Sequence, residues 1–161
     1  MAQEKLGFEQ FIEAVDTDNK PFVLELHNHL IASGCKAAFE EKKAGYVASY
    51  KIGKPQKALL NFVFKKNGLM CRVYGERIGS YPEFFDNLPK AMLGSIQKAG
   101  VCKRLTENGC NPKCIGYDFM IGGEHFQKCR YSCFEFLMTD ESNPFIKTFA
   151  LNEVAKRMEV M

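Results

Sequence analysis

Two apolar segments joined by an Asn-Gly pair constrain the fold of this chain more than any other feature. Residues 58–64 are almost continuously apolar, and residues 69–74 follow directly after Asn67 and Gly68. An Asn-Gly pair between two such segments is typical of a type I′ turn, because both turn positions take positive φ. We therefore expect a tight hairpin with Asn67 and Gly68 at its tip, preceded by a strand at residues 46–52, where apolar and polar residues alternate.

Apolar residues at helical spacing precede and follow this group of strands. Ser80 and Glu83 form a capping-box pattern, and Pro89 is expected to kink or split the helix that they begin near Leu88. Ser142 and Pro144 are typical of the start of a last helix. The other helices are predicted at residues 8–15, 21–33 and 36–43.

A second hairpin is predicted from residues 115–121 and 125–138, which flank Gly122 and Gly123. Strands joined by hairpins are antiparallel, so the pattern predicts an α+β fold with a mostly antiparallel sheet of about five strands and helices packed on one face. The 161 residues suit a single domain, 1–161, in which residues 1–20 are a candidate N-terminal appendage.

Four cysteines in the last third of the chain form the most distinctive chemical pattern. Cys110 and Cys114 are separated by three residues, as are Cys129 and Cys133, and the Gly-Gly turn lies between the pairs. If Ile121 pairs with Glu124 across that turn, Cys114 lies opposite Tyr131 and diagonal to both later cysteines. Such thiols can bind zinc, form a redox pair or disulfide, or pack as reduced side chains.

Strand geometry limits the zinc interpretation. Residues four apart in an unbroken strand are separated by about 13 Å, whereas zinc needs every sulfur ~2.3 Å from one point. Cys129 and Cys133 therefore cannot both bind one ion unless the strand breaks between them. We expect Cys110 and Cys114 to be the first ligands of any zinc site, because Pro112 lets their loop curl.

Other polar side chains have both a structural and a functional interpretation. Glu76 and Arg77 follow the third strand, where they could line a cleft at the end of the sheet or form a solvated turn. Asp118 is expected to pair with Lys128 or Arg130 across the second hairpin. Further candidates are His27 and His29, expected on a helix flank, His125, expected exposed beside the turn, and the core thiols Cys35, Cys71 and Cys102.

Composition and motifs exclude several classes of protein. The net charge is only +3 and the basic residues are dispersed, which argues against a nucleic-acid-binding protein. No apolar segment approaches the ~18 residues that span a membrane, and the first residues lack the features of a signal peptide. We therefore expect a cytoplasmic protein without a disulfide framework, consistent with its odd number of cysteines, seven.

The order of elements resembles that of small YdhG-like bacterial α+β domains of unknown function. The resemblance is carried by residues 43–51, 58–64 and 69–75, which form a three-strand meander that ends in glycine before a helix. It extends over residues 22–158 and implies a cytoplasmic bacterial accessory protein. The cysteine hairpin departs from that pattern, and no catalytic residue can be transferred.

The sequence contains none of the common nucleotide-binding, hydrolase or metalloprotease motifs, so it favours a non-enzymatic protein. We expect a binding domain that holds a small molecule or a protein partner between the sheet and the helices. The alternative is a zinc-binding or thiol-redox protein that acts through Cys110, Cys114, Cys129 and Cys133.

Overall fold

The structure, a computed structural model, describes residues 7–43, 45–53, 56–66, 68–101, 116–121, 123–129 and 133–159. Its helices are α1 (Phe8–Ala14), α2 (Lys20–Ala32), α3 (Lys90–Lys98) and α4 (Asn143–Met158). Two 3₁₀ helices, Ile78–Ser80 and Pro82–Asn87, precede α3. The strands are β1 (Lys36–Lys42), β2 (Gly45–Ile52), β3 (Lys57–Lys65), β4 (Gly68–Val73), β5 (Tyr117–Ile121), β6 (Glu124–Lys128) and β7 (Glu135–Leu137).

The strands form two antiparallel sheets. Five of them make the main sheet in the order β1-β2-β3-β4-β7, and β5 pairs with β6 in a separate two-stranded sheet. The predicted α+β class with a five-stranded antiparallel sheet is therefore confirmed. Within the described ranges, no helix combines the length and apolar content needed to cross a membrane.

The two faces of the main sheet differ because side chains alternate along each strand. One row across the sheet is fully buried and is formed by Ala48, Phe62, Cys71 and Phe136. The adjacent row points to the other face, is half-buried or exposed, and is formed by Val47, Val63, Met70 and Leu137. We call these the inner and outer faces of the sheet.

The helices contribute their buried residues to the core on the inner face. Phe11 of α1 is fully buried, and its ring lies 5.8 Å from that of Phe62, measured between centroids. Helix α4 packs on β3 and β4 and buries Ile146 and Phe149. Large side chains therefore fill the space between the sheet and the helices.

The first strand corrects a helix prediction. Residues 36–43 were expected to form a helix, but residues 36–42 form β1, which pairs along its whole length with β2. Ala37 and Phe39 alternate with exposed residues and pack against the core. Backbone pairing and the burial of Phe39 outweigh the helix propensity of the Ala, Glu and Lys residues around it.

The predicted first hairpin is present, with a different register. Lys65 pairs with Gly68, so Gly68 (φ 129°) begins β4 instead of occupying the turn. A two-residue turn at Asn67 and Gly68 would have paired Lys66 with Leu69. The observed register is shifted by two residues, which keeps every side chain on its predicted face. Asn67 itself lies outside the described residues.

The segment before α3 also differs from the prediction. Ser80 provides no capping hydrogen bond, because residues 82–87 form a 3₁₀ helix that begins after Tyr81. The predicted break near Leu88 is confirmed: Leu88 is extended and Pro89 precedes the first residue of α3. Phe85 and Met92 are buried, whereas Phe84 and Leu88 are only half-buried.

The second predicted hairpin is confirmed at its turn and corrected at its end. Ile121 pairs with Glu124 as expected. The second strand, however, does not continue from residue 125 to residue 138. It ends at Lys128, and residues 135–137 form β7, which pairs with β4 in the main sheet. The strands β6 and β7 therefore belong to different sheets.

Candidate functional site

A cleft of about 450 Å³ lies between the loop that follows β4 and the start of β5. Its charged lining residues are Glu76 and Arg77 from the loop and Asp118 from β5. Glu76 and Arg77 therefore line a cleft at the end of the sheet, one of the two arrangements that their position predicts. The remaining lining residues are Gly75, Ile78, Gly79, Gly116 and Tyr117.

Gly75 fixes the loop against the neighbouring elements. A Cβ atom at this position would lie 2.5 Å from Cγ2 of Ile78 and 3.0 Å from the ring of Phe149, so a side chain does not fit. The Gly75 N–H donates a hydrogen bond of 2.9 Å to the hydroxyl of Tyr117. This bond joins the two walls of the cleft, since Tyr117 is the first residue of β5.

A buried ionic network supports the loop from below. Glu153 of α4 is fully buried and accepts hydrogen bonds from the Arg77 N–H (3.0 Å), the Tyr81 hydroxyl and Nε of Arg157 (3.0 Å). Arg157 also donates to the carbonyl oxygens of Ala58 (2.9 Å) and Tyr74 (2.6 Å). The network therefore fixes the loop to α4 and β3.

Burial determines the ionisation of this network. It raises the pKa of Glu153, while the bonds from Tyr81, Arg157 and Arg77 act in the opposite direction. Burial, followed by the negative charge of Glu153, raises the pKa of Tyr81 well above its usual value. Tyr81 is thus a neutral hydrogen-bond donor at physiological pH and holds the loop in place.

Asp118 forms different contacts from those predicted. Its carboxylate accepts hydrogen bonds from Nε2 of His125 (2.5 Å) and Nε2 of Gln127 (3.4 Å). The bond from His125 is the main reason that the pKa of Asp118 is lowered. Lys128 instead donates to the carbonyl oxygens of Gln97 and Ala99, at 3.0 Å each. The expected pair with Lys128 is therefore wrong, and Arg130 lies outside the described residues.

The four cysteines of the predicted site fall partly outside the described residues. Cys110, Cys114 and Tyr131 lie outside the described residues. The position of Cys114 opposite Tyr131 therefore stays a prediction. Cys129 and Cys133 are described, and both lie outside the strands, since β6 ends at Lys128 and β7 begins at Glu135. The Cys133 N–H donates a hydrogen bond of 3.0 Å to the Cys129 carbonyl oxygen.

The two described thiols of this group differ in exposure. Cys133 is fully buried, and burial raises its pKa, whereas Cys129 is half-buried. Both are reduced. Among the described residues, no group of three or more His, Cys, Asp or Glu side chains is arranged to hold a metal ion. Cys35 and Cys71 are buried, as expected, and Cys102 lies outside the described ranges.

The side chains of the three histidines lie in different surroundings. His27 Nδ1 lies 2.7 Å from the Tyr50 hydroxyl, and the Phe8 ring stacks on the imidazole at 3.7 Å between centroids. His29 is half-exposed and lies 4.0 Å from Glu25. His125 is exposed beside the turn, as predicted. The histidines therefore do not form a common site.

Sequence reasoning missed Glu153 and Arg157. Their spacing of four residues on the last helix is the one signal that could have indicated a pair. That spacing is equally common on exposed helix surfaces, so it does not indicate burial. No protein-family model, curated protein or solved structure matches this chain.

Proposed function

We propose that this chain is a non-enzymatic binding domain that holds a small dipolar molecule in the cleft between the loop after β4 and the start of β5. The observation that carries the proposal is that Arg77 of the loop and Asp118 of β5 both line the cleft. A guanidinium and a carboxylate in one cleft suit a ligand that carries an anionic group and an N–H donor. A free amino acid is the simplest member of that class.

The surroundings of the cleft support binding without reaction. The lining contains no His, Cys or Ser side chain among the described residues, and Tyr81 beneath it stays protonated. The buried network of Glu153 and Arg157 holds the loop in one conformation, which lowers the entropic cost of binding. The sheet–helix interface is less suited to a ligand, since buried side chains fill it.

A panel of amino acids, small carboxylates and small amines, screened by thermal shift and by NMR, tests this proposal. We expect a dipolar compound to raise the Tm and to shift the amide resonances of residues 75–79 and 116–118. The variants Arg77→Gln and Asp118→Asn should each lose that response. Lys51→Gln, an exposed substitution on β2, should keep it.

Binding that survives both cleft variants, or a panel without any dipolar ligand, would contradict the proposal. Because the Arg77 contact to Glu153 uses the backbone N–H, Arg77→Gln leaves the supporting network intact. Loss of binding in that variant therefore reports on the cleft and not on the fold.

A second candidate function is a zinc-binding or thiol-redox role for the cysteine segment. The backbone hydrogen bond from Cys133 to Cys129 favours it, because this bond holds the two residues much closer together than the ~13 Å that separates residues four apart in a strand. Both thiols can then approach one ion. Cys110 and Cys114 complete the proposed ligand set.

Metal analysis and a free-thiol count on anaerobically purified protein distinguish the forms of this second candidate. A zinc site predicts one zinc per chain, lost in Cys129→Ser and kept in Cys35→Ser. A redox pair predicts no zinc and a free-thiol count two below that of the reduced chain. Metal-free protein with all thiols reduced would exclude both.

A further inference from the structure

Asp118 belongs to a group of four side chains on one face of the β5–β6 hairpin. Side chains alternate along each strand, and the register places Gln127 opposite Asp118. On the same face, His125 lies opposite Met120. Asp118, Met120 and His125 are exposed, and Asp118 also lines the cleft between the loop after β4 and the start of β5. This exposed face of the hairpin therefore adjoins the cleft.

Hydrogen bonds determine which nitrogen of His125 carries the proton of the neutral ring. Nε2 of His125 lies 2.5 Å from Oδ1 of Asp118, and Nε2 of Gln127 lies 3.4 Å from Oδ2. An ionised carboxylate can only accept, so Nε2 of His125 donates and Nδ1 is left to take up a second proton. The bond from His125 is the main reason that the pKa of Asp118 is lowered, so this carboxylate stays ionised in the range where histidine titrates.

Protonation of His125 changes the charge that a ligand meets in the cleft. Beside the neutral imidazole, Asp118 keeps its full negative charge. The imidazolium, in contrast, neutralises that charge from a distance of 2.5 Å. A bound ammonium group then competes with the imidazolium for the same carboxylate. Histidine changes its charge between about pH 5 and about pH 8, so this competition falls in the physiological range.

The other charged groups around the hairpin and the cleft are of different types. Glu124 and Lys128 lie on β6 at positions whose side chains point to the opposite face from His125. Glu76 and Arg77 line the cleft from the loop. Carboxyl, ammonium and guanidinium side chains ordinarily change their charge outside the range of histidine. Among these described groups, His125 is therefore the one that changes its charge near neutral pH.

We propose that His125 regulates the affinity of the cleft for its dipolar ligand: the neutral imidazole leaves the Asp118 carboxylate available to the ligand's ammonium group, and protonation of the ring weakens that contact. His125 acts through Asp118 and does not need to touch the ligand. The affinity is therefore highest above the range in which His125 takes up its proton and falls as the pH decreases through that range. This inference rests on the proposed function and adds its regulation by pH.

An NMR titration with taurine at about pH 7.5 and about pH 5 tests the inference on the full chain. Taurine carries a sulfonate and an ammonium group, and neither changes its charge between these values. We expect taurine to bind about two- to fivefold more weakly at the lower pH, because exposed charges contribute modestly. Ethanesulfonate carries the same anionic group without the amine, and its binding should not weaken at the lower pH.

Two histidine variants show whether the pH dependence comes from His125. His125→Gln keeps an N–H donor beside Asp118 without a titratable ring, so its affinity for taurine should be the same at both pH values. His29→Gln changes a half-exposed histidine on α2 outside the cleft and should keep the pH dependence of the unmodified chain. A thermal melt at each pH shows that every variant is folded before its affinity is compared.

The outcomes separate this inference from the proposed function. Taurine binding that is equal at both pH values, an unchanged pH dependence in His125→Gln, or an equal loss with ethanesulfonate would each overturn the inference and leave the proposed function standing. Absence of taurine binding at both pH values would also overturn it, and the panel of amino acids and amines then shows whether the proposed function fails with it.

Discussion

Glu153 and Arg157 place opposite charges in the interior, so removal of either side chain leaves the other charge buried. Arg157→Met removes the guanidinium while keeping a long apolar stem. We expect it to lower the free energy of unfolding by about 3–5 kcal/mol, because Glu153 would remain buried without its cation. Urea denaturation followed by circular dichroism measures this.

The neighbouring Lys156 provides a matched control. Lys156 pairs with Glu159 on the surface at 3.7 Å, and an exposed pair contributes at most about 1 kcal/mol. Lys156→Met should therefore cost less than about 1 kcal/mol. Equal losses in the two variants would show that the network does not stabilise the fold.

We expect His27 to make the free energy of unfolding depend on pH. Burial beneath Phe8 and beside Tyr50 lowers the pKa of His27 below its usual 6.5, so the unfolded chain binds more protons in the window between those values. The stability that His27 contributes is present above pH 6.5 and is lost as the pH falls through the folded-state pKa. The unmodified chain should therefore lose more stability than His27→Gln between about pH 7.5 and about pH 5.

Urea denaturation at a series of pH values measures that difference. His29→Gln changes a half-exposed histidine on the same helix and should keep the pH dependence of the unmodified chain. Identical slopes for His27→Gln and the unmodified chain would contradict the assignment to His27.

The sequence indicated some of the residues that line the candidate cleft. It did not indicate Glu153 and Arg157, which fix the loop of the cleft in place. For Glu76 and Arg77, which follow the end of a strand, the sequence left two alternatives open, a cleft lining and a solvated turn. Of the two partners predicted for Asp118, Lys128 is wrong because its ammonium donates to the carbonyl oxygens of Gln97 and Ala99, a contact between segments that are distant in the chain. Local spacing carries no information about such contacts.

At the scale of elements, Gly123 sets the turn that separates β5 from β6. Its φ is 84°, and a Cβ there would meet no atom within 4 Å, so only the backbone conformation opposes a side chain. Gly123→Ala should therefore cost about 1–2 kcal/mol. Gly94 in α3 has equally open surroundings without a positive φ, and Gly94→Ala should stabilise the chain by about 0.5–1 kcal/mol. Thermal melts that rank the two variants in the reverse order would reject this account of the turn.

Two elements differ from the predictions for the same physical reason. Residues 36–43 have helix propensity and residues 125–138 have a continuous strand pattern, yet β1 and β7 take the form that their pairing partners allow. Residues 36–42 pair with the edge of β2, and residues 135–137 pair with the edge of β4. Propensity is local, whereas edge pairing depends on which strand edges the rest of the fold leaves open.

At the scale of the whole molecule, the sheet separates a packed interior from an outer face with much less cover. Phe62 and Val63 are adjacent on β3 and point to opposite faces: Phe62 is fully buried and Val63 is half-buried. The ring of Phe62 contacts those of Phe11 and Tyr50, each 5.8 Å away between centroids. The core that joins α1 to the sheet therefore depends on this side chain.

The two neighbours provide a direct test of that asymmetry. Phe62→Ala should lower the free energy of unfolding by about 3–5 kcal/mol, because it opens a cavity between α1 and the sheet. Val63→Ala should cost less than about 1 kcal/mol, since its side chain is only partly removed from water. Urea denaturation of both variants measures the difference. A cost for Val63→Ala close to that of Phe62→Ala would show that the outer face is packed as tightly as the inner one, and that the sheet is covered on both sides.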